Sequence, residues 1–318
     1  MDSDKIFITK FDTTAQYNAA KNSLAKPHVS LTKDDRKLHY MKYDYSIDYL
    51  TFVALEDSTF QLSTNSISYS LDKGNTWTTL AANTASPTVA AGSKIMWKGT
   101  LTPTSSSGIG TFSSSGRFDV EGNVMSLLYG YDFKGQISLS GKSYAFYKLF
   151  DSNTNVVNAK NLSLPATTLE QYCYGSMFWY CTSLITAPEL PATTMKQYCY
   201  NYMFKGCSNL TTAPELPSTT LASYCYNGMF DSCTSLTTAP ELPAITLASN
   251  CYRYMFTSCS NLNYIKAMFT SYPSASYTNS WVSGVAASGT FVKNSAAQWD
   301  VSGVNGIPSG WTVQTASN

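Results

Sequence analysis

Between Leu164 and Leu262 apolar and polar positions alternate in a fixed phrase written four times. Leu169, Cys173 and Met177 recur every four residues, with Tyr174 and Phe178 beside them. That spacing predicts an amphipathic helix with one buried stripe. Thr168 with Gln171, and Thr194 with Gln197, stand in capping-box spacing and place the helix start. Leu184 to Ala187 reads as a short strand ended by Pro188, which lacks a backbone donor. Leu164, Leu190, Leu216 and Leu242 open successive copies 26 residues apart. A unit of this kind buries its apolar face only against a neighbour, so the pattern predicts a stacked array.

Upstream the pattern changes to period two. Leu50–Leu55, Phe60–Leu62, Ile67–Leu71, Thr76–Leu80, Ile95–Gly99, Gly108–Phe112 and Arg117–Val120 read as short strands. Asp72-Lys73-Gly74-Asn75 reads as a hairpin turn. Regular short strands between polar turns predict a β-sandwich. Nearer the N-terminus, Ile6–Ile8 reads as a strand and Thr13–Leu24 as a helix stopped by Pro27. His28–Leu31 and Lys37–Tyr40 read as two strands across a charged turn. Phe146, Leu149 and Phe150 fall where Tyr174, Met177 and Phe178 fall, marking a degenerate first repeat. Trp281 and Trp311 follow the last copy, and tryptophans there suit lids over the end of the array.

The blocks Met177–Leu184, Met203–Leu210, Met229–Leu236 and Met255–Leu262 share a Met-Phe-x-x-Cys-x-x-Leu form. With the Leu-Pro pairs they resemble the BspA-like (Treponema-type) leucine-rich repeat, over roughly residues 145–311. The resemblance implies a curved solenoid with a binding role and brings no catalytic residues. The expected fold class is therefore α+β: an N-terminal β-rich, sandwich-like region followed by a short capped leucine-rich-repeat solenoid. The expected divisions are 1–45, a small N-terminal α/β attachment module; 46–140, the sandwich; 141–270, the repeats; and 271–318, a C-terminal cap.

Composition narrows the function. The chain of 318 residues is 13% charged with a formal net charge of +1. That argues against nucleic acid, which needs a clustered basic face, and against a polybasic membrane anchor. No apolar run approaches the roughly 20 residues of a membrane span. No signal peptide is visible at Met1-Asp2-Ser3-Asp4. The 23 tyrosines exceed the 15 phenylalanines, and tyrosine with Ser and Asn is common on recognition surfaces.

All eight cysteines lie in the repeats. On a helix, Cys173 and Cys181 would sit about 12 Å apart. Equivalent cysteines on neighbouring helices would sit roughly 8–10 Å apart. A disulfide needs Cα atoms within about 7 Å. The cysteines therefore read as free, packed thiols. No paired Cys-x-x-Cys suits zinc. The two histidines, His28 and His39, are remote from the repeats. No nucleophile elbow or phosphate loop appears, so no enzyme and no cofactor are expected.

Candidate binding residues come from comparing copies. Changes concentrate at positions such as Trp179/Lys205/Asp231 and Tyr202/Tyr254, expected to face solvent off the buried stripe. Glu189, Glu215 and Glu241 form a uniform ladder that suits a periodic ligand if solvated or neutralised. The expected role is non-enzymatic recognition of a cell-surface glycan or protein. A phage virion fibre and a secreted bacterial adhesin are the alternative settings, and a glycan-active enzyme is a lesser one. Residues 1–45 are the expected contact to virion proteins or to further copies of the chain.

Overall fold

The computed structural model describes residues 45–105, 107–272 and 274–316, and the backbone of 7–8, 28–31 and 38–40. Three short strands, β1 (Phe7–Ile8), β2 (His28–Leu31) and β3 (Leu38–Tyr40), form one sheet. β2 and β3 pair antiparallel with Val29 opposite Tyr40, as the sequence expects of a hairpin. The helix expected at Thr13–Leu24 lies outside the described residues.

The next part follows the period-two pattern. β4 (Leu50–Ala54), β6 (Ile67–Ser70), β7 (Thr78–Leu80), β8 (Lys94–Lys98), β10 (Phe118–Asn123) and β11 (Val156–Ser163) form a six-stranded sheet. Its order is β11-β10-β4-β8-β6-β7. A two-stranded sheet of β5 (Phe60–Leu62) and β9 (Phe112–Ser114) packs against it. Between the two lie Phe52, Phe60, Phe112 and Phe118, with Phe52 at 4.8–5.3 Å from the other three ring centroids. The β6–β7 hairpin turns where expected. Asp72 organises it by accepting hydrogen bonds from Thr76 and Ser70, which hold its carboxyl down at about 2.

The repeats correct the sequence expectation. Among the described residues the fold is built of β-strands with one short helix rather than α+β, and no helix forms in any repeat. Among the described residues the one α-helix is α1 (Ser126–Tyr129), four residues long and outside the repeats. The leucine-rich-repeat solenoid of helices and strands is thereby overturned in favour of strands, bridges and turns.

What takes the helix's place is a ribbon of consecutive turns. The amides of Cys173, Gly175, Met177, Trp179 and Cys181 each donate to the carbonyl three residues back. The intervening amides of Tyr172, Tyr174, Ser176, Phe178 and Tyr180 donate instead to carbonyls of the next repeat, 25 residues on. The same cross-repeat bonds run from Tyr144 in the degenerate copy to Ser258. Every fourth residue has positive φ: Tyr172 at 56°, Ser176 at 52° and Tyr180 at 53°. A left-handed residue at every second turn brings the chain back to the same orientation after four residues. Cys173, Tyr174, Met177 and Phe178 are thus buried, with Gly175 and Ser176 covered between them, whereas Trp179 is half-buried and Tyr180 exposed. The four-residue spacing taken for a helix is the period of this ribbon.

The expected strand of each copy shrinks to isolated parallel bridges, such as Asn158 to Thr186 and Thr186 to Thr212. β11 belongs both to the six-stranded sheet and to this leg of the stack, so the first sheet and the repeats share a strand. At the other end β12 (Tyr264–Ala267), β13 (Thr290–Lys293) and β14 (Thr312–Thr315) form a parallel sheet. Trp281 closes the stack over Tyr252 and Phe256, and its indole N–H donates to the Gly306 carbonyl at 2.8 Å. Trp299 and Trp311 are likewise buried with their N–H groups on backbone carbonyls. One hydrophobic core runs from Leu50 to Trp311.

Candidate functional site

The inner side of the ribbon is filled by ladders of like residues. Phe150, Phe178, Phe204, Phe230 and Phe256 stack at 5.2–5.8 Å between centroids. Phe146, Tyr174, Tyr200, Tyr226 and Tyr252 form a second column at 5.6–6.2 Å. This tyrosine ladder is fully buried and belongs to packing, not to a surface. The eight cysteines are free and buried. Cys181, Cys207, Cys233 and Cys259 each donate their S–H to a phenylalanine carbonyl of the preceding copy at 2.9–3.1 Å. Burial pushes every one of these thiols up, Cys251 and Cys259 to about 12, so none is a ready nucleophile.

The outer side carries the varied positions. Tyr144, Tyr172, Tyr198 and Tyr224 form a half-buried stack at 4.4–4.7 Å. Beside it lie cations on aromatic rings. Lys148 sits 5.4 Å from the Trp179 ring and 5.5 Å from that of Tyr147. Lys205 sits 5.1 Å from the Tyr202 ring and pairs with Asp231 at 2.8 Å. Arg253 lies 4.6 Å over Tyr254 and donates to its hydroxyl. Partial burial works against the Lys205 ammonium, but the hydrogen bond and charge of Asp231 outweigh it and hold its pKa above the usual lysine value.

The candidates from sequence therefore divide. Trp179, Tyr202, Lys205, Asp231 and Tyr254 lie on this face, and Tyr202, Lys205 and Asp231 touch in sequence. They are not freely solvated as expected: Asp231 is buried and the other four are half-buried. Variation between copies is complementary. The Tyr202 ring lies over Gly228 and the Tyr180 ring over Gly206, each so close that a Cβ on the glycine would collide. In these two columns a large residue on one rung demands a small one on the next. Glu189, Glu215 and Glu241 are exposed on the other leg of the repeat. Glu241 pairs with Lys266 at 3.0 Å, so at that rung the repulsion within the ladder is offset by a cation.

Sequence comparison missed Lys148, Tyr180 and Arg253. The last falls where the other copies have Gly175, Asn201 and Asn227, which reads as a polar position until the turns show it facing out. Among the described residues no group of three His, Cys, Asp or Glu side chains is placed to hold a metal ion. No helix among them is long and apolar enough to cross a membrane. No protein-family model matches the chain, and neither the curated proteins nor the solved structures compared with it include a match.

Proposed function

We propose that this protein is a non-enzymatic recognition protein that holds a cell-surface glycan or protein against the outer face of its turn ribbon. The observation that carries the reading is the row of aromatic rings with cations resting on them: Lys148 on Trp179, Lys205 on Tyr202 and Arg253 on Tyr254. Flat rings offer contact area at little rotamer cost, and adjacent cations add polar contacts. The backbone beneath is fixed by hydrogen bonds from copy to copy, so little ordering is left to oppose binding. The buried, protonated thiols supply no reactive group to this face.

The test is binding of the full chain to a glycan array and to whole bacterial cells, with Tyr180→Ala and Tyr254→Ala as variants. Truncating an aromatic anchor costs about 2 kcal/mol or more, roughly thirtyfold in affinity. Loss of that size with an unchanged melting temperature supports the face as the reader. Equal binding by both variants removes it.

A further inference from the structure

The six-stranded sheet holds a charged group that neither the core nor the repeat face uses. Lys98 ends β8 with only 7% of its surface exposed. It lines a cleft of about 340 Å³ between β6, the end of β8 and the Tyr129–Asp132 turn. Its Nζ lies 4.3 Å from the Trp77 ring centroid and 3.1 Å from that of Tyr131. Among the described residues this ammonium has no carboxylate partner and no hydrogen bond, and it is not sealed from solvent. Ring faces compensate a buried charge only in part, and three N–H donors remain to be satisfied.

The rest of the lining narrows what completes the site. Ser68 and Thr79 line the cleft on the same sheet face as Lys98, and their hydroxyls form no side-chain hydrogen bond among the described residues. The Tyr131 ring is 66% exposed, and the Lys98 ammonium rests on one of its faces. Asp132 also lines the cleft, and its charge opposes any anion there, a dianion such as phosphate more than a single carboxylate. One cation held between two rings and free hydroxyls suit a single carboxylate carried on a polyol ring. The volume is at the low end of small-molecule sites, which run from about 300 to 1,000 Å³.

We propose that this cleft binds a carboxylate-bearing sugar unit of the hexuronic acid class. Lys98 Nζ, held on the Tyr131 ring, donates to the carboxylate, the Ser68 and Thr79 hydroxyls meet the sugar hydroxyls, and the exposed Tyr131 side chain flanks the sugar. The site is independent of the repeat face, so either can fail without the other.

The experiment is calorimetric titration of the full chain with D-glucuronate, D-glucose and inorganic phosphate. It is repeated on Lys98→Met, which keeps most of the side-chain length without the charge, and on Tyr131→Ala, which removes an exposed ring. D-glucuronate should bind, with D-glucose and phosphate each at least tenfold weaker. Lys98→Met should lose at least tenfold in D-glucuronate affinity while melting no lower than the parent. Should Lys98→Met not fold, loss of D-glucuronate binding in a folded Tyr131→Ala carries the same support. The proposal is overturned by absent D-glucuronate binding, by phosphate binding as tightly, or by variants that bind as well as the parent.

Discussion

At the scale of single residues, this fold rests on groups held where their ionised forms are penalised. The eight thiols and the phenols of Tyr174, Tyr200, Tyr226 and Tyr252 are buried, and burial raises the pKa of each. Their folded pKa values exceed the unfolded ones, so the folded chain keeps protons that the unfolded chain releases. Their stabilising effect is complete below the unfolded thiol value of about 8.5 and is lost as pH rises from there through the folded values. Each thiol ionised only when unfolded steepens the loss by up to about 1.4 kcal/mol per pH unit. Urea midpoints should be level from pH 6 to 8 and fall from pH 9 upward; a midpoint level to pH 10 contradicts this. A thiol reagent at pH 8 should label none of the eight cysteines in the native chain and all of them in denaturant. The rungs make a second residue-scale prediction. Gly228 has φ of 58° and the Tyr202 ring against it. Gly228→Ala should destabilise by about 1–3 kcal/mol, and adding Tyr202→Ala should recover part of that. A double-mutant cycle by urea unfolding reads the coupling, and simple additivity would refute the contact.

At the scale of elements, the repeat shows why a correct period led to a wrong element. Cys173, Met177 and Cys181 are four apart, and so are Tyr174 and Phe178. A helix and a four-residue ribbon of turns both bring such positions to one side. The difference lies in φ at Tyr172, Ser176 and Tyr180, where a left-handed tyrosine or serine costs roughly 1–2 kcal/mol against the ordinary conformation. No side chain announces that cost in the sequence; the bonds to the next copy impose it. Glycine at the equivalent Gly206 and Gly228, with φ of 77° and 58°, was the one local hint. The strands of the sheet region were legible because alternation has a single structural reading, and the hairpin at Asp72-Lys73-Gly74-Asn75 was legible from its turn residues. The outer face was legible only in part: Trp179, Tyr202 and Tyr254 emerge from comparing copies, whereas Tyr180 and Arg253 require the turn geometry. Since each copy bonds its neighbour at equivalent atoms, a copy is exchangeable. Deleting residues 190–215 should join equivalent positions and leave a folded, cooperative protein. Far-UV circular dichroism at 222 nm, taken per molecule, should be the same for both chains, because residues 190–215 hold no helix. An unfolded deletion variant would show that the copies are not equivalent.

At the scale of the whole molecule, a stack of like units is stable only if its ends are covered. β11 covers one end, because it pairs with β10 on one side and meets Thr186 on the other. Trp281 covers the other end of both aromatic columns, 6.2 Å from Tyr252 and 6.3 Å from Phe256. The two ends differ in kind. The first is continuous with a sheet having its own phenylalanine core; the second is one indole backed by Phe269, Phe291 and a parallel sheet. Trp281→Ala opens a cavity above the last rung and should cost about 3–5 kcal/mol. The loss should not be shared evenly, since a rung without its cover frays and exposes the next. Hydrogen exchange of the variant should quicken most at the amides of Tyr252, Tyr254 and Phe256, less at Tyr226 and Phe230, and least in β4 and β10. A uniform increase from Leu50 to Trp311 would mean that the molecule opens as one unit, with the sheet region and the stack sharing a single unfolding step.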